Sequence, residues 1–130
     1  MERLSYSEEQ VMVALWQCGG AALRREIARH LPEPGRWADA TLLNFLGRLE
    51  KKGFVRVEKQ ANRNLYRPLV NRLSYCAAES ERQLQTLYSG DVCAMVGALA
   101  DTGRLSNAGC ERLLRWLERY LVDNPAYGED

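Results

Sequence analysis

The order of apolar and polar positions divides the chain into three short helical stretches, a hairpin and a second run of helices. At residue 7, "SEEQ" offers a capping box in which Ser7 accepts from the Gln10 backbone N–H while the Gln10 side chain reaches back. Val11, Ala14 and Leu15 then share one helical face with Trp16 beside it, and "CGG" at 18–20 stops the helix where glycine tolerates a left-handed backbone. In "LRREIARHL", Leu23, Ile27, Ala28 and Leu31 recur at helical spacing, Arg24, Arg25 and Arg29 lie around the other side, and Pro32 ends the run. Beyond the loop "PEPGRW", residues 38–53 carry Ala38, Leu42, Phe45, Leu46 and Leu49 in one stripe. The terminal "KKG" of that helix puts cations at the negative end of the helix dipole.

The period then changes from 3.6 to 2. Phe54, Arg56 and Glu58 alternate with Val55 and Val57, the tip "ANRN" is polar, and "LYRPL" returns, which predicts a hairpin with Arg63 near its tip. Pro68 lacks a ladder donor, which suits the end of an edge strand and marks the end of a first unit. Residues 71–88 are again helix-like, "SGD" breaks them, "VCAMVGALA" forms a short apolar helix, and Ser106 caps a last one bearing Cys110, Leu113, Leu114, Leu117 and Leu121 on one face. The expected architecture is therefore mostly α with a small β-hairpin. An N-terminal winged helix-turn-helix spans 1–70, a C-terminal helical dimerisation arm spans 71–122, and 123–130 form a flexible tail. Three helices of this length bury a core poorly alone. Leu84, Leu87, Tyr88, Leu113, Leu114, Trp116, Leu117 and Leu121 are the expected faces of a homodimer.

Charge sharpens this picture. The chain has a net charge of only +1, yet residues 1–70 hold 12 Lys+Arg against 8 Asp+Glu, and residues 71–130 hold 6 against 9. The excess reaches +6 over residues 24–67, a local field that attracts phosphate polyanions. A helix fits the major groove and a basic wing reaches phosphate, so double-stranded operator DNA is the expected partner. Phosphate contacts are expected from Arg24, Arg25, Lys51, Lys52, Lys59, Arg63 and Arg67. The outward side of the third helix, Ala40, Leu43, Asn44, Gly47, Arg48 and Lys51, is short of base-reading side chains. Asn44 can pair with adenine, Thr41 or Leu43 can touch a thymine methyl, and Arg48 can hold guanine or phosphate. That bareness keeps open two alternatives: a derived winged helix that binds a protein as adaptor or antirepressor, or a weakly specific DNA binder.

Other chemistry finds little footing. Cys18, Cys76, Cys93 and Cys110 are far apart without a C-x-x-C pair, so no metal site is written, and they read as small buried hydrophobes, with redox sensing a minor alternative. His30, the single histidine, sits at a helix end, and no Ser or Cys has a partner base in an interpretable motif; neither an enzyme nor a cofactor is expected. Trp16 and Trp37 are assigned to the winged unit and Trp116 to the arm. The longest apolar runs fall short of a bilayer span and the N-terminus lacks a leader pattern, so a cytoplasmic protein, on the nucleoid when bound, is expected.

These motifs resemble the penicillinase and methicillinase repressors and their copper-transport relatives, from about Leu4 to Leu121. The resemblance rests on the spacing from Leu15 through "RREI" at 24–27, the loop from "LPEP" to Trp37, "TLLNFLGRLEKKGFV", "YRPLV" and "TGRLS". It implies a dimeric repressor on a palindromic operator, often governed by a membrane sensor that triggers cleavage. Two departures stand out. The family's Asn-Phe cleavage bond aligns with Ala98-Leu99, and of the copper branch's C-terminal cysteine cluster only Cys110 lies in the region, so neither release route carries over. A sensor or other protein partner is left unnamed by these residues.

Overall fold

The computed structural model describes residues 2–33, 35 and 37–125. The chain forms two compact units, one running to Ala78 and one from Glu79 onward. In the first, helix α1 (Tyr6–Gln17) is followed by a two-residue strand β1 (Ala22–Leu23), α2 (Arg24–Arg29), α3 (Asp39–Lys51), the hairpin β2 (Val55–Gln60) and β3 (Arg63–Pro68), and the start of α4 (Arg72–Tyr88).

The capping box of α1 falls two residues earlier than the sequence suggested. Ser5, not Ser7, accepts from the Glu8 N–H, and the Glu8 carboxylate accepts from the Ser5 N–H. Both serines head an S-x-x-E/Q pattern, and the earlier one wins because Glu8 is also held by a distant lysine. The end of α3 is a Schellman turn: Gly53 takes φ +80°, Phe54 N–H donates to Leu49 at 2.9 Å, and Gly53 N–H donates to Glu50 at 3.1 Å. Phe54 and Leu49, the residues this turn brings together, are both buried.

The sheet has three strands rather than two, in the order β1-β3-β2, all antiparallel. Ala22 pairs with Tyr66 and Leu23 with Leu65, so β3 is the central strand and not an edge. Pro68 is tolerated because it pairs with Val55 at the hairpin base, two residues beyond the reach of β1. The turn is shorter than the expected tip: Ala61 and Asn62 make it, with Ala61 at φ +57°, while Arg63 and Asn64 already belong to β3. Leu23 likewise ends a strand instead of belonging to a helical face, and α2 ends at His30, short of Pro32. Pro34 and Arg36 of the following loop lie outside the described residues.

One core fills the first unit. Val11, Met12, Ala14 and Leu15 of α1 meet Ile27 and Leu31, the α3 stripe Leu42, Leu46 and Leu49, and Phe54, Val55 and Tyr66 of the sheet. Ala38, expected in that stripe, is exposed because it caps α3 from outside. Tyr75 of α4 is buried in the same core: it packs edge-on to Phe54 and beside Trp16, and its hydroxyl donates to Glu9 at 2.6 Å. The Trp16 indole N–H donates to the Val70 carbonyl at 2.9 Å.

The second unit holds the rest of α4, α5 (Val92–Asp101, capped by Asp91) and α6 (Asn107–Asp123, capped by Ser106). No residue of α5 or α6 is buried. Leu114, Trp116, Leu117 and Leu121 of α6 are exposed, Trp116 stacks on Tyr120, and Leu87 of α4 is exposed as well. Of the expected tail, Asp123 completes α6 and residues 126–130 lie outside the described residues. Among the described residues no helix is long and apolar enough to cross a membrane.

Candidate nucleic-acid interface

The helix-turn-helix formed by α2 and α3 and the hairpin beside it create an open cleft lined by Leu23, Arg24, Arg25, Leu43, Arg63, Asn64 and Tyr66. Its residues come from four separate elements, β1, α2, α3 and β3. Strand alternation puts Lys59 and Asn64, a cross-strand pair, on the same side of the hairpin as buried Val55 and Tyr66, but beyond the core toward the tip. Asn64 was not singled out by sequence reasoning, because only the two-residue turn assigns it to a strand face. Arg63, at the tip, is exposed.

On α3, Thr41, Leu43, Asn44 and Arg48 are all exposed, as is Lys51, while Gly47 is half-buried. Leu43, 44% exposed, lies in the cleft itself. The Arg48 guanidinium rests over the Phe45 ring at 5.1 Å, and Trp37 packs on the same ring, so Arg48 is shelved on an aromatic support. The starts of the two helices are tied by Arg24 and Asp39 at 2.7 Å, a contact on open surface that contributes little to stability.

The remaining cations differ in how firmly they are held. The Lys52 ammonium donates to the Glu8 carboxylate at 2.7 Å and to the Arg3 carbonyl at 3.1 Å, joining the end of α3 to the start of α1. Burial pulls the Glu8 carboxyl up, but the hydrogen bonds from Lys52 and Ser5 outweigh it and hold the group below the usual carboxylate range. Arg67 donates to Glu58 at 3.1 Å, and Arg56 donates to the other carboxylate oxygen at 2.9 Å. Hydrogen bonds from Arg67 and Arg56 hold Glu58 below its ordinary value.

The cysteines do not fill the core as expected: Cys18 packs at its margin, half-buried, while Cys76, Cys93 and Cys110 lie on α4, α5 and α6, helices in which Tyr75 alone is buried. Burial and the nearby Glu26 push the Cys18 thiol up, and the thiol donates to the Ala14 carbonyl. His30 caps α2 and is exposed.

The chain is similar, at 32% identity over 94% of its length and 83% of the relative's, to an uncharacterised 16.5 kDa protein in the ptsI 3′ region of Latilactobacillus sakei. A solved structure titled CopR repressor matches 54% of this chain and all of its own at 36% identity, with a TM-score of 0.44. The model of the penicillinase repressor family matches residues 4–119, which takes in the winged unit and nearly all of the helical arm. The chain belongs to the penicillinase repressor family, a family of transcriptional repressors.

Proposed function

We propose that this protein is a cytoplasmic transcriptional repressor that binds double-stranded operator DNA as a homodimer, on a site with twofold symmetry. The observation that carries the reading is the convergence of Arg24 and Arg25 from α2, Leu43 from α3, and Arg63 and Asn64 from β3 on one cleft. A recognition helix entering the major groove beside a wing that touches phosphate needs that juxtaposition. Arg25, Lys51, Lys59 and Arg63 position the duplex, with Arg24 at the α2 start; Asn44, Thr41, Leu43 and Arg48 face the bases.

Twofold pairing is supported by the arm. An amphipathic helix whose Leu114, Trp116, Leu117 and Leu121 are all about half exposed is incomplete alone, and burying the remainder of each such side chain contributes about 1 kcal/mol. A second copy offers an identical face, and a twofold axis then sets two recognition helices about one DNA turn apart.

The test is selection of bound duplexes from a random library at two salt concentrations, followed by Arg63→Ala with Lys51→Ala. A symmetric motif should survive the higher salt, and the double variant should weaken binding to every sequence and flatten the salt dependence by about one to two units of slope per protomer, about twice that for the dimer. Unchanged affinity would remove those cations from the interface. The second reading, a protein-binding winged helix, is favoured by the exposed Leu43 in the cleft; it takes over if only motif-free, salt-sensitive binding is found.

A further inference from the structure

The outer face of the hairpin carries a charge cluster that the cleft does not use. Register puts Arg56 of β2 directly across from Arg67 of β3, and alternation puts both, with Glu58 and the tip residue Arg63, on the side away from buried Val55 and Tyr66, with Arg63 alone far enough out to line the cleft as well. Like charges so opposed repel. Glu58 lies between them, one carboxylate oxygen on the Arg56 guanidinium at 2.9 Å and the other on Arg67 at 3.1 Å. Two anionic oxygens shared between two guanidiniums is also the way arginines grip a phosphodiester. Stripped of its carboxylate, the back of the wing would hold two arginines in a phosphate-ready arrangement. A duplex seated there would face away from the core side, where Leu42, Leu46 and Leu49 of α3 pack with Val55 and Tyr66.

We infer that Glu58 is a specificity-determining residue of DNA binding: it occupies the phosphate-holding geometry of Arg56 and Arg67 and keeps duplex DNA off the back of the wing, leaving the cleft as the seat. This rests on the DNA-binding reading above. Its role is thus one of excluding an unproductive mode, which is how specificity is often obtained when attractive base contacts are few.

The experiment measures affinity of the full chain for a random-sequence duplex and for a library-selected duplex, across a salt series, in the parent, Glu58→Gln, and the triple variant Glu58→Gln/Arg56→Gln/Arg67→Gln. One added phosphate contact steepens the salt slope by about 0.9 and, near 0.1 M salt, raises random-duplex affinity about eightfold. The selected duplex should change less than about twofold, so discrimination falls about four- to eightfold, and the triple variant should return to the parent value or below. An unchanged random-duplex affinity in Glu58→Gln, an equal rise on both duplexes, or a rise that persists in the triple variant would each overturn the inference. Should Glu58→Gln fail to fold, Arg56→Gln serves instead: an arginine already occupied by Glu58 leaves random-duplex binding within about twofold, and a larger loss refutes the clasp. A parent that binds no duplex at all would refute the DNA-binding reading itself.

Discussion

Replacing Lys52 by Met removes the cation that faces Glu8 while keeping an unbranched stem of similar length. Glu8 is only 2% exposed, so its carboxylate would be stranded away from water, still accepting from Ser5 but without its countercharge. Stranding one member of a buried pair typically costs about 3–5 kcal/mol. The Lys52 side chain is 26% exposed, which lets water approach and places the expected loss near the low end, about 3 kcal/mol. For a unit of this size that corresponds to a Tm lower by about 12–24 °C. Denaturation followed against pH gives the sharper test. In the parent, the carboxyl is held low, so its stabilisation is present above its unfolded value and lost as pH falls through the folded one. In Lys52→Met burial pulls the carboxyl up against the Ser5 hydrogen bonds alone, so its penalty is present at neutral pH and relieved as pH falls. The gap between the two proteins should therefore be widest near neutral pH and close as pH falls through the parent's lowered carboxyl value. Glu8→Gln combined with Lys52→Met should recover part of the loss, since no charge is then buried. A variant within 1 kcal/mol of the parent at pH 7, or a gap that ignores pH, would refute this account. The same variant separates two roles for Lys52: a lysine engaged with Glu8 leaves the salt slope of DNA binding unchanged, whereas a phosphate contact lowers it by about 0.9.

Other outcomes follow from the same geometry. Asn44→Ala should relax preference at one base position in each half-site, costing about 1–3 kcal/mol of discrimination, measured by repeating the duplex selection; equal loss on every sequence would exclude base reading. Leu117→Asp with Leu121→Asp should shift sedimentation to the monomer and weaken operator binding more than tenfold, while a dimer that persists would move the interface off α6. Ala61→Gly removes a non-glycine residue from φ +57° at the hairpin turn; after the added freedom of the unfolded chain is subtracted, a gain of about 0.5 kcal/mol is expected, and a loss in thermal unfolding would show the turn to be unstrained.

Much of the fold could be read locally. The α3 stripe Leu42, Leu46 and Leu49, the helix stop at Gly53, the cap at Ser106 and the break around Ser89 and Gly90 are statements about neighbours three or four residues apart, and each stands in the structure where the periodicity put it. The choice between Ser5 and Ser7 was less accessible. Both head a capping pattern, and what selects Ser5 is the partner its Glu8 finds 44 residues away. Likewise β1 is two residues with no period to detect, and it becomes a strand only because β3 presents an unpaired edge at Leu65 and Tyr66.

By itself, then, the sequence determined the succession of helices and the hairpin, the basic character of the first half and the apolar stripe of α6, because these depend on the identity and spacing of nearby residues. Tertiary structure decided which cations are held by a carboxylate: Lys52 goes to Glu8, Arg67 and Arg56 to Glu58, and Arg24 to Asp39, while Arg25, Lys51, Lys59 and Arg63 stand exposed. Charge counts cannot distinguish these, since a cation's availability depends on which carboxylate the folded chain brings within hydrogen-bonding distance.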